Sequence, residues 1–222
     1  MNWSVLGGLC LFAGCASAAG KIAPSVTEPS KAASSLVRGT DVVTDLLEDL
    51  RYKTPDNFLH TAVYPEEAHC LLLRETADKV AKAAAALREQ GYRLKVYDCY
   101  RPRAVQWKMW KVYPHPGYVA DPHKGSNHNR GAAVDLTLAT KDGGEVEMPT
   151  PFDSFDAAAH HGYAGGTEAS RKHREILKAA MLAAGFKPNP MEWWHYDLPD
   201  AKTREVLDVP FEAMHPADAG TP

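Results

Sequence analysis

The sequence has no apolar run long enough to cross a bilayer, no excess of basic residues and, past its first 19 positions, only two cysteines. Each shortage excludes something. With 25 Lys and Arg against 28 Asp and Glu, the formal charge is −3, so no broad basic surface exists to hold a phosphate backbone, and nucleic acid is not an expected partner. A hydrophobic share of 45% and a charged share of 24% are ordinary for a folded domain and exclude both a disordered chain and an integral membrane protein. At 222 residues the chain suits one compact domain with short appendages.

The longest apolar stretch, residues 5–13, is too short to span a membrane, and small residues follow it, Gly14-Cys15-Ala16-Ser17-Ala18-Ala19. This pattern predicts a secretory leader over residues 1–19, although no Lys or Arg precedes the apolar run. Two processing routes compete. Ala16-Ser17-Ala18 suits ordinary signal peptidase, whereas Phe12-Ala13-Gly14-Cys15 resembles a bacterial lipobox and would leave a lipid on Cys15. Export to a bacterial periplasm or cell envelope is expected either way, with membrane contact only if Cys15 is lipidated.

Cys70 and Cys99 remain for the folded part. In an oxidising compartment they can pair, and closing a loop of that size adds about 3–4 kcal/mol by the chain-entropy argument; two buried free thiols are the alternative. Residues 20–40 are rich in Ala, Ser and Pro without periodicity and read as a flexible linker, the folded domain as residues 41–210, and residues 211–222 as a tail.

Within the domain the spacing predicts a short element near residues 41–47, then a helix from Pro65-Glu66-Glu67 to Gly91 with Leu72, Val80, Ala83, Ala84 and Leu87 on one face. Tyr92, Leu94 and Val96 alternate with polar neighbours as in a strand, residues 104–112 suit a helix, and residues 113–130 form a long loop. Val134, Leu136 and Leu138 mark a second strand with Asp135 on its other face. A helix over residues 167–184, closed by Gly185, and a last strand over residues 193–198 complete the expectation. The order mixes strands and helices without βαβ alternation, so the expected class is α+β, with a central mostly antiparallel sheet and flanking helices.

Chemistry concentrates in two segments. In Ser126-Asn127-His128-Asn129-Arg130-Gly131-Ala132-Ala133-Val134-Asp135 an imidazole on a loop precedes a carboxylate in a strand, with a glycine between them to turn the chain. Glu192-Trp193-Trp194-His195 adds another carboxylate and another imidazole. His128, Asp135 and His195 would hold one Zn²⁺ per chain with the fourth position open, the layout of catalytic rather than structural zinc. Zinc acidifies water from a pKa of about 15.7 toward about 7, but a base must still move the proton, and Glu192 is placed for that. Strand geometry would put residues 192 and 195 on opposite faces, so a turn at Pro190-Met191-Glu192 is expected. Trp193, Trp194 and Tyr196 read as core residues, and the doublet His160-His161 is an alternative source of one ligand.

Ser126-x-His128-x-x-Gly131-x-Ala133-x-Asp135, Glu192-x-x-His195 and Asp98-Cys99-Tyr100-Arg101-Pro102 together resemble the D-alanyl-D-alanine dipeptidases, zinc peptidases related to the vancomycin-resistance dipeptidase. The resemblance runs from about Arg51 to Leu198. It implies that His128, Asp135 and His195 are zinc ligands, Glu192 the catalytic base, and Arg101 the arginine that stabilises the transition state. It further implies that Ser126 meets the substrate carboxylate while Tyr52 and Asp153 hold its free ammonium, and that a small D,D-dipeptide is the substrate. Pro149 and Pro151, just ahead of Asp153, depart from the family pattern. Two competing readings stay open: a cell-wall D,D- or L,D-peptidase acting on larger muropeptides, and a noncatalytic envelope-binding module with a structural metal.

Overall fold

The computed structural model describes residues 36–214 together with Met1. The leader, both processing routes and Cys15 lie outside the described residues. Strand β1 (Leu36–Arg38) leads into a single helical turn, α1 (Gly39–Val42), and the short β2 (Leu47–Glu48). There follow β3 (Leu71–Leu73), α2 (Arg74–Arg88), β4 (Tyr92–Asp98), α3 (Arg103–Val112) and β5 (Ala133–Thr140). Helix α4 (Glu168–Ala183) and strands β6 (Lys187–Pro188) and β7 (His195–Asp197) end the order. The main sheet runs β2-β4-β5-β7-β6; only the β2–β4 pair is parallel, so the α+β class with a mostly antiparallel sheet is what the chain adopts.

Helices α2 and α4 pack on each other and on the sheet. Helix α2 packs on β4 and on α4, burying Ala77, Val80, Ala84 and Leu87 at helical spacing, while α4 contributes Leu177, Ala180 and Met181. Thr167 caps α4 through its hydroxyl, which accepts from Ser170 N at 3.0 Å. Gly185 closes the helix at φ +93°, and Phe186 N returns to the Met181 carbonyl. Strand β5 is buried on both faces along nearly all its length, so its alternation separates core from site rather than core from water.

Several boundaries differ from the sequence expectation. The helix predicted from Pro65 starts at Arg74, and residues 71–73 are extended instead. Leu73 N donates to the Gly131 carbonyl and Tyr100 N to the Leu71 carbonyl, while the Cys70–Cys99 disulfide holds the segment beside β4, with Cα atoms 5.1 Å apart. Tertiary hydrogen bonds outweigh the local helix signal. Residues 36–40, assigned to the linker, belong to the domain: β1 pairs antiparallel with β3, and Gly39 N donates to the Cys70 carbonyl at 2.8 Å. Phe211, assigned to the tail, is buried against the rings of Tyr64 and Tyr100. Both segments are too short to show a period, and only their partners fix them. Among the described residues, no helix is long and apolar enough to cross a membrane.

Candidate active site

Sheet register alone sets three acidic or basic groups side by side. After an irregularity between Val96 and Asp98, Asp98 pairs with Asp135 across β4 and β5, and Asp135 pairs with His195 across β5 and β7. Cross-strand partners project to the same face, so two carboxylates and an imidazole meet at one end of the sheet. His128 arrives from the 3-10 turn His128–Arg130 that precedes β5. Gly131 makes that approach feasible: its φ is +62°, and a Cβ there would lie 2.5 Å from the Leu36 side chain and 3.1 Å from Leu73 N.

The three predicted ligands converge, their ligand atoms all within 4.8 Å of one another. His128 Nδ1 lies 2.8 Å from the Cys99 carbonyl, which can only accept, so this nitrogen carries the hydrogen and Nε2 presents a lone pair. His195 Nε2 lies 2.9 Å from Asp197 Oδ1, so that ring donates outward and turns Nδ1 inward. His128 Nε2 and His195 Nδ1 then face each other at 3.1 Å, with Asp135 Oδ1 at 3.3 Å from the first and 2.9 Å from the second. Three ligand atoms turned toward one point form a set that could hold a cation. Ligands about 2.0–2.1 Å from a tetrahedral zinc are separated by about 3.3 Å, so these spacings fit such an ion. The protonation preferences express the same demand for positive charge. Although burial opposes it, His128 and His195 hold Asp135 well below the usual carboxylate range, and Asp197 and Asp135 hold His195 well above its ordinary value.

Glu192 reaches the cluster through the expected turn. Glu192 N donates to the Asn189 carbonyl and His195 N to the Glu192 carbonyl, two successive tight turns that delay β7 to residue 195 rather than 193. Its Oε2 stands 3.9 Å from His195 Nδ1 and accepts from Asn189 Nδ2 at 2.6 Å. Burial drives the Glu192 carboxyl up to about 8; His195 pulls the other way, and Asp135 and Asp153 add to the rise. A carboxyl with that affinity for protons can accept one and give it up near neutral pH.

Arg101 is fixed by its neighbours before any substrate arrives. Its Nε donates to Asp98 Oδ2 at 2.9 Å and Nη1 to Gln106 Oε1 at 2.8 Å, while Nη2 lies 4.0 Å from Asp135 Oδ2. Its guanidinium sits 5.2 Å from the centre of the Tyr52 ring. Asp98 is fully buried and also accepts from Tyr64 at 2.7 Å and from Cys99 N at 2.9 Å, so the arginine is the charge that balances it.

Tyr52 donates to Asp153 Oδ1 at 3.1 Å, and Phe58 N donates to Asp153 Oδ2 at 3.3 Å. Asp153 adopts φ +61°, a left-handed conformation uncommon for a residue with a side chain. Burial raises its carboxyl to about 7, against the hydrogen bond from Phe58 N, with Asp135 adding to the rise. Ser126 Oγ accepts from His128 N at 3.2 Å. All eight predicted catalytic, metal and substrate residues line one cavity of about 470 Å³. His160 and His161 are not in the metal cluster: His160 Nε2 meets the Tyr118 hydroxyl at 3.1 Å, and His161 is buried against Tyr196. Trp193 and Trp194 are buried core residues, as expected, with Trp194 also lining the cavity.

Four residues have supporting roles that the sequence reading did not assign: Asp197 behind His195, Asn189 behind Glu192, and Gln106 and Asp98, the latter quoted only as part of its motif, behind Arg101. Only Asp197 carries a local signal, because residues 195 and 197 of one strand share a face. The others depend on turns and long-range packing.

The family described as D-ala-D-ala dipeptidase matches residues 32–215. The D-alanyl-D-alanine dipeptidase of Escherichia coli (strain K12) is 36% identical over 173 residues, covering 78% of this chain and 89% of that protein. Its counterpart from Enterococcus faecium is 34% identical over 183 residues, covering 72% and 89%. That of Streptomyces coelicolor is 30% identical over 178 residues, covering 71% and 88%.

Proposed function

This chain belongs to the D-Ala-D-Ala dipeptidase family, and on that premise we propose that it hydrolyses D-alanyl-D-alanine or a similar D,D-dipeptide, with Zn²⁺ held by His128, Asp135 and His195. The observation that carries this reading is the convergence of three lone pairs beside a buried carboxylate whose proton affinity suits neutral pH. When bound, zinc supplies the Lewis acid that polarises the peptide carbonyl and acidifies water.

The remaining work falls to the chain's own side chains. Glu192 takes the proton from the attacking water on its carboxylate and hands it to the departing amine, so the group ends the cycle as it began. Arg101, pinned by Asp98 and Gln106, opposes the negative charge that grows on the carbonyl oxygen during attack, at no cost of reorientation. Asp153 and Tyr52 hold the substrate ammonium, and Ser126 meets the carboxylate at the other end. A carboxylate at the amine end rewards a free terminus, which favours a dipeptide over a larger muropeptide. Glu192 and Arg101 have no part in merely holding a metal, which speaks against a binding module. The Cys70–Cys99 disulfide supports an oxidising compartment, in keeping with export to the cell envelope.

The test is kinetic. Purified protein supplied with zinc should release D-alanine from D-alanyl-D-alanine and stop when a chelator removes the metal. Glu192→Gln should retain bound zinc and lose nearly all turnover; full activity in that variant would remove Glu192 from its role. Acetylating the substrate amine should abolish cleavage, and undiminished cleavage would favour the muropeptide reading instead.

A further inference from the structure

The amine end of the cavity is built from aromatic rings. The groups that hold Asp153 lead directly into a wall: Phe58, whose backbone N–H donates to the Asp153 carboxylate, lies 5.1 Å from the ring of Phe155, two residues beyond Asp153. Tyr118 packs on Phe155 at 5.0 Å, and Tyr113 stacks on the same ring at 5.1 Å. The Tyr118 hydroxyl is tied to His160, so the wall does not hang from a free loop. Phe58, Tyr118 and Phe155 all line the cavity, and each is only partly buried, leaving ring surface for a ligand.

An ammonium anchored at Asp153 shares its carbon with the side chain of the substrate's amino-terminal residue. That side chain therefore meets the groups flanking Asp153. A cavity of about 470 Å³ falls in the range that encloses drug-sized ligands, and a dipeptide with one methyl group per residue fills only part of it. Rings left against open space gain when an apolar group covers them.

Resting on the dipeptidase reading, we propose that Phe58, Tyr118 and Phe155 form a subsite for an apolar side chain larger than methyl on the amino-terminal residue of the substrate. Dipeptides such as D-leucyl-D-alanine and D-phenylalanyl-D-alanine are then cleaved at least as well as D-alanyl-D-alanine. Phe58 and Phe155 neighbour Asp153, so the gain belongs to the amino-terminal residue, and enlarging the carboxyl-terminal residue brings no such gain.

The experiment measures kcat/KM of the zinc-loaded enzyme on D-alanyl-D-alanine, D-leucyl-D-alanine, D-phenylalanyl-D-alanine and D-alanyl-D-leucine. The expected result is about a tenfold preference for D-leucyl-D-alanine over D-alanyl-D-alanine, from partial burial of the added carbons. D-alanyl-D-leucine should show none. In Phe155→Ala the ratio of the first two should fall toward one, a readout that does not depend on the absolute activity of the variant. Any preference for D-alanyl-D-alanine over D-leucyl-D-alanine in the unaltered enzyme would overturn the subsite while leaving the dipeptidase reading intact. A ratio unmoved by Phe155→Ala would also overturn it. If no dipeptide is turned over, the underlying reading fails and the subsite with it.

Discussion

Removing the carboxylate of Asp197 is expected to weaken metal binding by about 10–100-fold, although Asp197 is not a ligand. The reasoning starts from the two nitrogens of His195. Nε2 donates to Asp197 Oδ1 at 2.9 Å, and this bond both selects the tautomer and stops the ring from turning about its axis. The His195 side chain is 13% exposed and that of Asp197 24%, so the bond is shielded enough to resist competition from water. In Asp197→Ala the inner nitrogen loses its fixed direction and the negative charge that strengthens it as a donor of electrons. The expected loss corresponds to about 1.4–2.7 kcal/mol. Asp197→Asn keeps an oxygen that accepts from Nε2 and should fall between the two. Competition for zinc against a chromophoric chelator measures both variants directly, and circular dichroism checks that the fold persists. Unchanged affinity in Asp197→Ala would refute the claim that this carboxylate positions the ring.

Three further outcomes follow from the buried charged and titratable groups. Arg101→Ala leaves Asp98 buried without its counter-charge and should cost about 3–5 kcal/mol in urea unfolding, while the double variant with Asp98→Asn should regain most of that stability but not the turnover. The Asp153 carboxyl is raised to about 7 by burial, and only its ionised form attracts an ammonium, so kcat/KM should fall as pH drops through about 7. Asp153→Asn should lose the share of that limb due to Asp153, keep the share due to the Glu192 carboxyl held at about 8, and show a raised KM, which a pH profile from 5 to 9 would check. His161 is held at about 4 by burial, with Lys178 and Arg174 contributing, and neither of its ring nitrogens has a hydrogen-bond partner among the described residues. Because the unfolded chain binds this proton near 6.5, the contribution of His161 to stability is complete above that pH and is lost progressively down to about 4, in total about 3 kcal/mol. His161→Phe fills similar space without a titrating ring, so thermal unfolding at pH 7 and pH 4.5 should show a smaller acid loss in the variant.

The sequence by itself determined which side chains are candidates for the site. Residue types with strong side-chain demands, two imidazoles and two carboxylates in short motifs, named the candidate ligands and the candidate base, and the period-two alternation about Val96 and Val134 placed Asp135 on a strand. Thr167 and Gly185 marked both ends of the last helix because capping is a local matter. Tertiary structure decided what lies between distant segments. The irregularity after Val96 sets Asp98 opposite Asp135, a register invisible in either strand alone. Long-range hydrogen bonds and the disulfide drew residues 71–73 out of the expected helix, and Asn189, Asp197 and Gln106 gained their roles from where the chain folds back. Local propensity and ligand chemistry are properties of short segments, whereas orientation at a site is a property of the partners that packing brings within hydrogen-bonding distance.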